Sequence, residues 1–266
     1  MSRGGVPIVF VHGAFTRARR WRPWVDYFTA AGHECHAVTL PGHDPSDPAL
    51  LSSLVFEDYV TAVKAAVESL DRPPILIGHS MGGLVAQHVA AATRCDALIL
   101  ISSAPPWRTG ATRYSLPYTF SYVLPVLTGR PMLANPRAAH KLVLHDLPER
   151  EQRELAPMFA YESGKAYRTM VFGQAPMRRG AVTCRVLCVN GGADRLLRPS
   201  VGKALARFYG AEHIVFPGHG HSLVSETTVG TVAASVLRWV EGSAVPPAEE
   251  PIEVGEESSF PAGAVV

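Results

Sequence analysis

Four short apolar runs separated by three stretches of helical spacing fill the first 104 residues. That alternation constrains the fold more than any other feature. Val6–Val11, His33–Leu40, Ile75–Ile77 and Ala97–Ile101 read as buried strands. Between them, Trp21, Trp24, Val25 and Phe28 recur at helical spacing, as do Phe56, Tyr59, Val60, Val63, Val67 and Leu70. Met81–Ala92 is Ala-rich and helix-competent. Strand–helix alternation of this kind builds a parallel sheet covered on both faces. The rhythm breaks at Pro105, where six prolines fall between Pro105 and Pro136. It resumes with strands at Arg185–Val189 and Glu212–Phe216, a helix over 199–209 and a last helix from Val229 to Val240. The expectation is an α/β fold: a mostly parallel sheet of about six strands, helices on both faces, and a helical lid insertion. Residues 1–104 and 181–242 form the expected core, and 105–180 the lid beside the strand ends. Residues 243–266, with five acids and no base, read as a disordered tail.

Composition narrows the partners. The chain has 266 residues, of which 47% are hydrophobic, enough to fill one large core. A net charge of +2 implies no nucleic acid or other polyanion partner. No run approaches the roughly 18 apolar residues of a membrane span, and no leader precedes the first strand. Stable membrane insertion is therefore not expected, and the expected compartment is the cytoplasm. Cys35, Cys95, Cys184 and Cys188 lack the spacing of a zinc site and read as buried free thiols. The oligomeric state is not encoded in any pattern. Charge is uneven: residues 105–180 carry eleven Lys and Arg against five acids, which would favour anionic substrates or form a solvated surface.

Gly78-His79-Ser80-Met81-Gly82 lies between a predicted buried strand and a predicted helix. In that context Gly-x-Ser-x-Gly forms a tight turn that exposes the serine at a helix N-terminus. Glycines are needed where strand and helix crowd together. A serine hydroxyl is a weak nucleophile unless a base lies within reach and an acid orients that base. Asp194 follows the Arg185–Val189 strand, and His221 lies in a Gly-rich turn after Glu212–Phe216. Both turns open on the sheet edge that carries Ser80. His219 is an alternative base. Asp96 precedes its strand and belongs on the opposite edge, while Asp146 and Glu162 lie in the insertion.

Val11-His12-Gly13, the turn around Ser80, Gly192-Ala193-Asp194 and Gly220-His221, in this order, resemble the α/β-hydrolase superfamily, in its serine esterase and lysophospholipase-like branch. The resemblance implies Ser80, Asp194 and His221 as a catalytic triad, and the backbone N–H groups of Met81 and Ala14 as the oxyanion hole, with Phe15 the alternative to Ala14. It implies a small-molecule carboxylic ester or thioester substrate and neither metal nor organic cofactor. His12 is expected to pack the loop bearing Ala14, and His79 to shape the turn. Only about five residues precede the first strand, so the antiparallel hairpin usual in the family is expected to be missing. The Leu147–Phe172 segment resembles the cap of small bacterial esterases. The Phe10–Gly13 and Ala30–His33 segments resemble plant methyl esterases and hydroxynitrile lyases. A lyase of that kind implies a lid lysine, with Lys141 and Lys165 as candidates. An acyltransferase or a slow-turnover ligand receptor on the same fold is the further alternative. The aromatic stretch from Trp107 to Leu127 would either line an acyl pocket or pack the lid itself. An acidic tail docked on the basic lid is another expectation.

Overall fold

The computed structural model describes residues 5–243. The expected tail therefore lies, from residue 244 onward, outside the described residues. Among the described residues there are eight strands: β1 (Ile8–Val11), β2 (Cys35–Val38), β3 (Ile75–His79), β4 (Ala97–Ile101), β5 (Met132–Leu133), β6 (Tyr161–Glu162), β7 (Arg185–Gly191) and β8 (Glu212–Phe216). Six of them form one sheet in the order β2-β1-β3-β4-β7-β8. Every pairing in it is parallel. The sheet therefore has the size and direction expected.

Strand alternation sorts the core into two layers. Ile8, Phe10, Ile75, Ile77, Ala97, Ile99, Ile101, Leu187 and Val189 point to one face. There they meet Trp24 and Phe28 of the Arg22–Ala30 helix and Val236 and Trp239 of the Ala234–Val240 helix. Val9, Val11, Leu76, Leu98, Leu100, Val186 and Cys188 point to the other. They pack on Tyr59 and Val63 of Phe56–Glu68, Leu84 and Val85 of Met81–Ala92, and Leu205 of Pro199–Tyr209. Period-two alternation with both faces apolar is what produces the continuous hydrophobic runs read in the sequence. Each fully buried aliphatic side chain contributes roughly 1.5–3 kcal/mol.

From β1 the chain crosses to β2 on one side, and β3 then pairs with the other side of β1. The carboxyl ends of β1 and β3 thus flank a switch point, where a crevice opens in sheets of this kind. The segments after β1, β3, β7 and β8 all emerge on that edge.

Residues 105–180 contain the helices Leu116–Thr128, Glu149–Leu155 and Gly164–Phe172. They also contain the antiparallel β5–β6 ladder, which no sequence pattern announced because each strand is two residues long. Gly164–Phe172 packs against both Phe56–Glu68 and Met81–Ala92, joining the insertion to the core. The four cysteines are free, but only Cys188 is buried; the others lie near strand ends and are half-buried.

Candidate active site

Ser80 sits at the turn between β3 and the Met81–Ala92 helix with φ 54° and ψ −122°. Crowding imposes this geometry. A Cβ on Gly78 would lie 2.6 Å from the Cα of Gly83, and one on Gly82 would strike the carbonyl oxygens of Val11 and His12. The Ser80 N–H donates to Ile101 O at 3.1 Å, and its carbonyl accepts from Gly83 N and Ala104 N, both at 3.0 Å. The backbone is thereby fixed while the hydroxyl stays half-buried, with no hydrogen-bond partner among the described residues. The N–H of Met81, the first residue of the helix, has no acceptor among the described residues, nor has that of Ala14.

Asp194 and His221 meet across the edge. His221 Nδ1 donates to Asp194 Oδ2 at 2.8 Å, and both side chains are buried. The other carboxylate oxygen, Asp194 Oδ1, accepts from Leu196 N at 2.8 Å and Leu197 N at 2.9 Å. A carboxylate facing Nδ1 places the ring proton there and leaves Nε2 as the acceptor. His219 forms no such pair; its carbonyl instead accepts from Ala193 N at 2.8 Å, bracing the Asp194 turn.

Histidines bolt these loops together. His79 Nε2 donates to His221 O at 2.9 Å, and the two rings lie 4.8 Å apart. This joins the residue before Ser80 to His221. Burial, reinforced by His221, holds the His79 imidazole neutral, well below its ordinary range. His12 Nδ1 donates to Gly13 O at 3.0 Å, and its Nε2 accepts from Leu40 N at 3.1 Å. Burial pushes His12 down to about 3, so it stays neutral. His12 thus ties the loop after β1 to Leu40, and His79 ties the Ser80 turn to His221. Gly13 packs against the elbow: a Cβ there would lie 3.0 Å from the Cβ of Ser80.

Three acids of the insertion reach back to the same loops. Glu162, fully buried on β6, accepts from Phe15 N at 3.2 Å and His43 Nε2 at 3.2 Å through Oε2. Its Oε1 accepts from Tyr59 OH at 2.7 Å and Ser163 N at 2.8 Å. Phe15 O in turn accepts from Ala160 N at 2.7 Å, so the insertion grips Phe15, at φ 61°, from both sides. With its amide occupied, Phe15 is not the open donor of the pair, and Ala14 is. Asp146 Oδ2 accepts from Gly220 N at 2.6 Å, one residue before His221. Glu151 accepts from Glu226 N at 2.8 Å and bonds Thr227 Oγ1. On the core side, buried Arg20 donates to Ser222 Oγ at 3.3 Å, just after His221. In the sequence, Asp146 and Glu162 were set aside because they lie in the insertion, and Glu151 and Arg20 were given no role. No sequence pattern points to these contacts, because each joins residues more than 70 positions apart.

The aromatic stretch expected to line a pocket or pack the lid divides instead. Tyr122 packs its ring 5.8 Å from Phe15, and both lie near Tyr167. Tyr114, Leu116, Phe120, Val123, Leu124 and Leu127 face outward and are exposed. A single helix cannot turn every apolar residue of such a run to one side. Among the described residues no group of three or more His, Cys, Asp or Glu could hold a metal ion, and no helix is long and apolar enough to cross a membrane.

Comparison with known proteins places this arrangement. The model of the alpha/beta hydrolase family matches residues 8–234. A pyrethroid hydrolase of Sphingobium wenxiniae is 30% identical over 139 residues, 48% of this chain and 50% of that protein. A monoacylglycerol lipase of Mycolicibacterium smegmatis is 26% identical over 254 residues, 88% of this chain and 87% of that one. The solved structure of a methylesterase from Arabidopsis superposes with a TM-score of 0.73 at 18% identity, covering 90% of this chain and all of the other. Several curated relatives are matched over only 34–50% of their own length.

Proposed function

The chain belongs to the alpha/beta hydrolase family, and from that premise we propose that it hydrolyses a carboxylic ester or thioester of a small molecule through an acyl-enzyme on Ser80. The observation that carries the reading is the 2.8 Å bond between buried His221 Nδ1 and Asp194, bolted through His79 to the Ser80 turn. Ser80 attacks the acyl carbonyl while His221 Nε2 takes its proton. The N–H groups of Met81 and Ala14 stabilise the oxyanion at the mouth of the helix. His221 then protonates the leaving alcohol or thiol, and water releases the acid by the same route. Asp194 holds the tautomer and stabilises the imidazolium. No step calls for a metal or organic cofactor.

Residues 105–180 serve as the lid over a core of 1–104 and 181–242. Tyr122 and Tyr167, which pack beside Phe15, support a lid whose inner aromatic wall meets the substrate. The names of the relatives, pyrethroid hydrolase, monoacylglycerol lipase and methylesterase, agree with an ester-cleaving activity. Lys165, a candidate for a lyase lysine, lays its aliphatic stem against Gly129, which gives the lyase reading no support.

The test is a panel of p-nitrophenyl esters and acyl thioesters of graded chain length, each measured as kcat/KM, with Ser80→Ala beside it. Hydrolysis of at least one class that drops by at least about 10³-fold in Ser80→Ala is the expected result. Equal turnover by the variant would sink the reading.

A further inference from the structure

The Leu116–Thr128 helix turns one apolar stripe to the outside. Leu116 is 59% exposed, Phe120 85%, Leu124 62% and Leu127 63%. Spacings of four, four and three residues put them on one side of the helix. The inner side is already filled, since Tyr122 and Val126 pack with Phe15. The helix itself carries no charge. The sequence flanking it carries one sign only. No Asp or Glu occurs between Asp96 and Asp146, a span that includes Arg108, Arg113, Arg130, Arg137 and Lys141. Arg113 and Arg130, both exposed, bracket the helix. Arg168 donates to Leu127 O at 3.4 Å and adds a third guanidinium at the C-terminal end. Three of the insertion's five acids are turned inward onto backbone amides and hydroxyls, which leaves its outer surface more basic than composition alone suggests.

We propose that this face docks the protein peripherally on an anionic lipid surface. The stripe from Leu116 to Leu127 sinks to the boundary of headgroups and acyl chains, and Arg113, Arg130 and Arg168 meet the lipid phosphates. An apolar stripe rimmed by cations is the pattern that such a surface selects. Two copies of this chain would fit the face less well. In a two-fold pairing the arginines at its ends approach one another, and no acid between residues 97 and 145 is present to neutralise them. The docking does not depend on the chemistry assigned to Ser80.

Sedimentation of the full chain with unilamellar vesicles tests it. One set is phosphatidylcholine alone, and the other contains about 30% phosphatidylglycerol. Partitioning at least about tenfold stronger on the anionic vesicles, weakened by added salt, is expected. Phe120→Asp with Leu124→Asp should abolish binding, and Arg113→Gln with Arg130→Gln should remove the preference for anionic lipid. Because these side chains are exposed, both pairs should melt as the parent does. Absence of binding to anionic vesicles overturns the proposal, as does unchanged binding by the Asp variants. Two other outcomes overturn it by naming a different occupant. One is a dimer in light scattering that Phe120→Asp dissociates. The other is vesicle binding that appears only when Glu249, Glu250, Glu253, Glu256 and Glu257 are all changed to Gln.

Discussion

Backbone angles of φ 54° and ψ −122° at Ser80 are costly for any residue with a Cβ, about 1–3 kcal/mol by analogy with other rarely populated regions. The cost is met by four fixed neighbours: Ile101 O, Gly83 N and Ala104 N bond its backbone, and Gly13 abuts its side chain. The same fixity holds the Ser80 Cα and Cβ in place at the turn. Asp194 is held as firmly, with two amides on Oδ1 and His221 on Oδ2. Asp194→Asn should retain those two amide bonds through its oxygen and so present an NH2 donor to Nδ1. The tautomer of His221 would then be wrong, and kcat should fall by about 10³–10⁴ with KM little changed. Steady-state kinetics with one ester checks this. A fall of less than tenfold would mean that Asp194 does not orient the base. The Ser80 turn and the Asp194–His221 pair were legible in the sequence because each residue occupies a short turn whose flanking strand is also local. Ala14 and Phe15 stayed open there, because the bond from Phe15 N to Glu162 joins residues 147 positions apart.

At the scale of elements, residues 105–180 clamp the loops of the sheet edge. β6 delivers Glu162 to the loop after β1, and the segment around Asp146 meets the turn before His221. Neither acid touches the Ser80 hydroxyl, so each acts by positioning. Glu162→Gln replaces one oxygen by an NH2 group, which sets donor against donor at Phe15, His43, Tyr59 or Ser163. A loss of about 1–3 kcal/mol in stability is expected for the buried mismatch. If the clamp also positions the Ala14 amide, kcat should fall about tenfold while KM changes less than twofold, because the oxyanion bond strengthens in the transition state. Asp146→Asn should act similarly on the His221 turn. Thermal melting and the kcat against KM split separate the two effects, and lost stability with unchanged kcat would assign both acids a purely structural role. The six main strands and most core helices were readable from periodicity, since both sheet faces are apolar. β5 and β6 were not, because two residues carry no period and their pairing depends on packing against the core.

For the whole molecule, buried histidines set the dependence of stability on pH. His12 is lowered to about 3 and His79 well below its ordinary value, both mainly by burial. Unfolded, each would bind a proton at about 6.5, so the unfolded state holds more protons below that pH. Their contribution is complete above about pH 7 and is lost as pH falls through 6.5 towards 3. His43 works in the opposite sense, since burial lowers it but Glu162 raises it further; it is one histidine against five, because burial lowers His88, His145 and His213 as well. The melting temperature should therefore decline between pH 7 and pH 5, and a calorimetric scan at each pH measures it. A constant or rising melting temperature on acidification would contradict neutral burial of His12 and His79. Surface charge at this scale was half legible. The basic excess of residues 105–180 is plain in the sequence, whereas the inward turn of three of its acids needed the folded chain.

The proposed acyl-enzyme rests on one atom, the Ser80 hydroxyl oxygen. Reaction of the full chain with a fluorophosphonate, followed by intact mass and peptide mapping, tests that claim most directly. One label per chain is expected, on the peptide at Ser80, with ester hydrolysis lost in proportion to labelling and no label on Ser80→Ala. Labelling at another residue, or full ester hydrolysis by a chain labelled at Ser80, would contradict it.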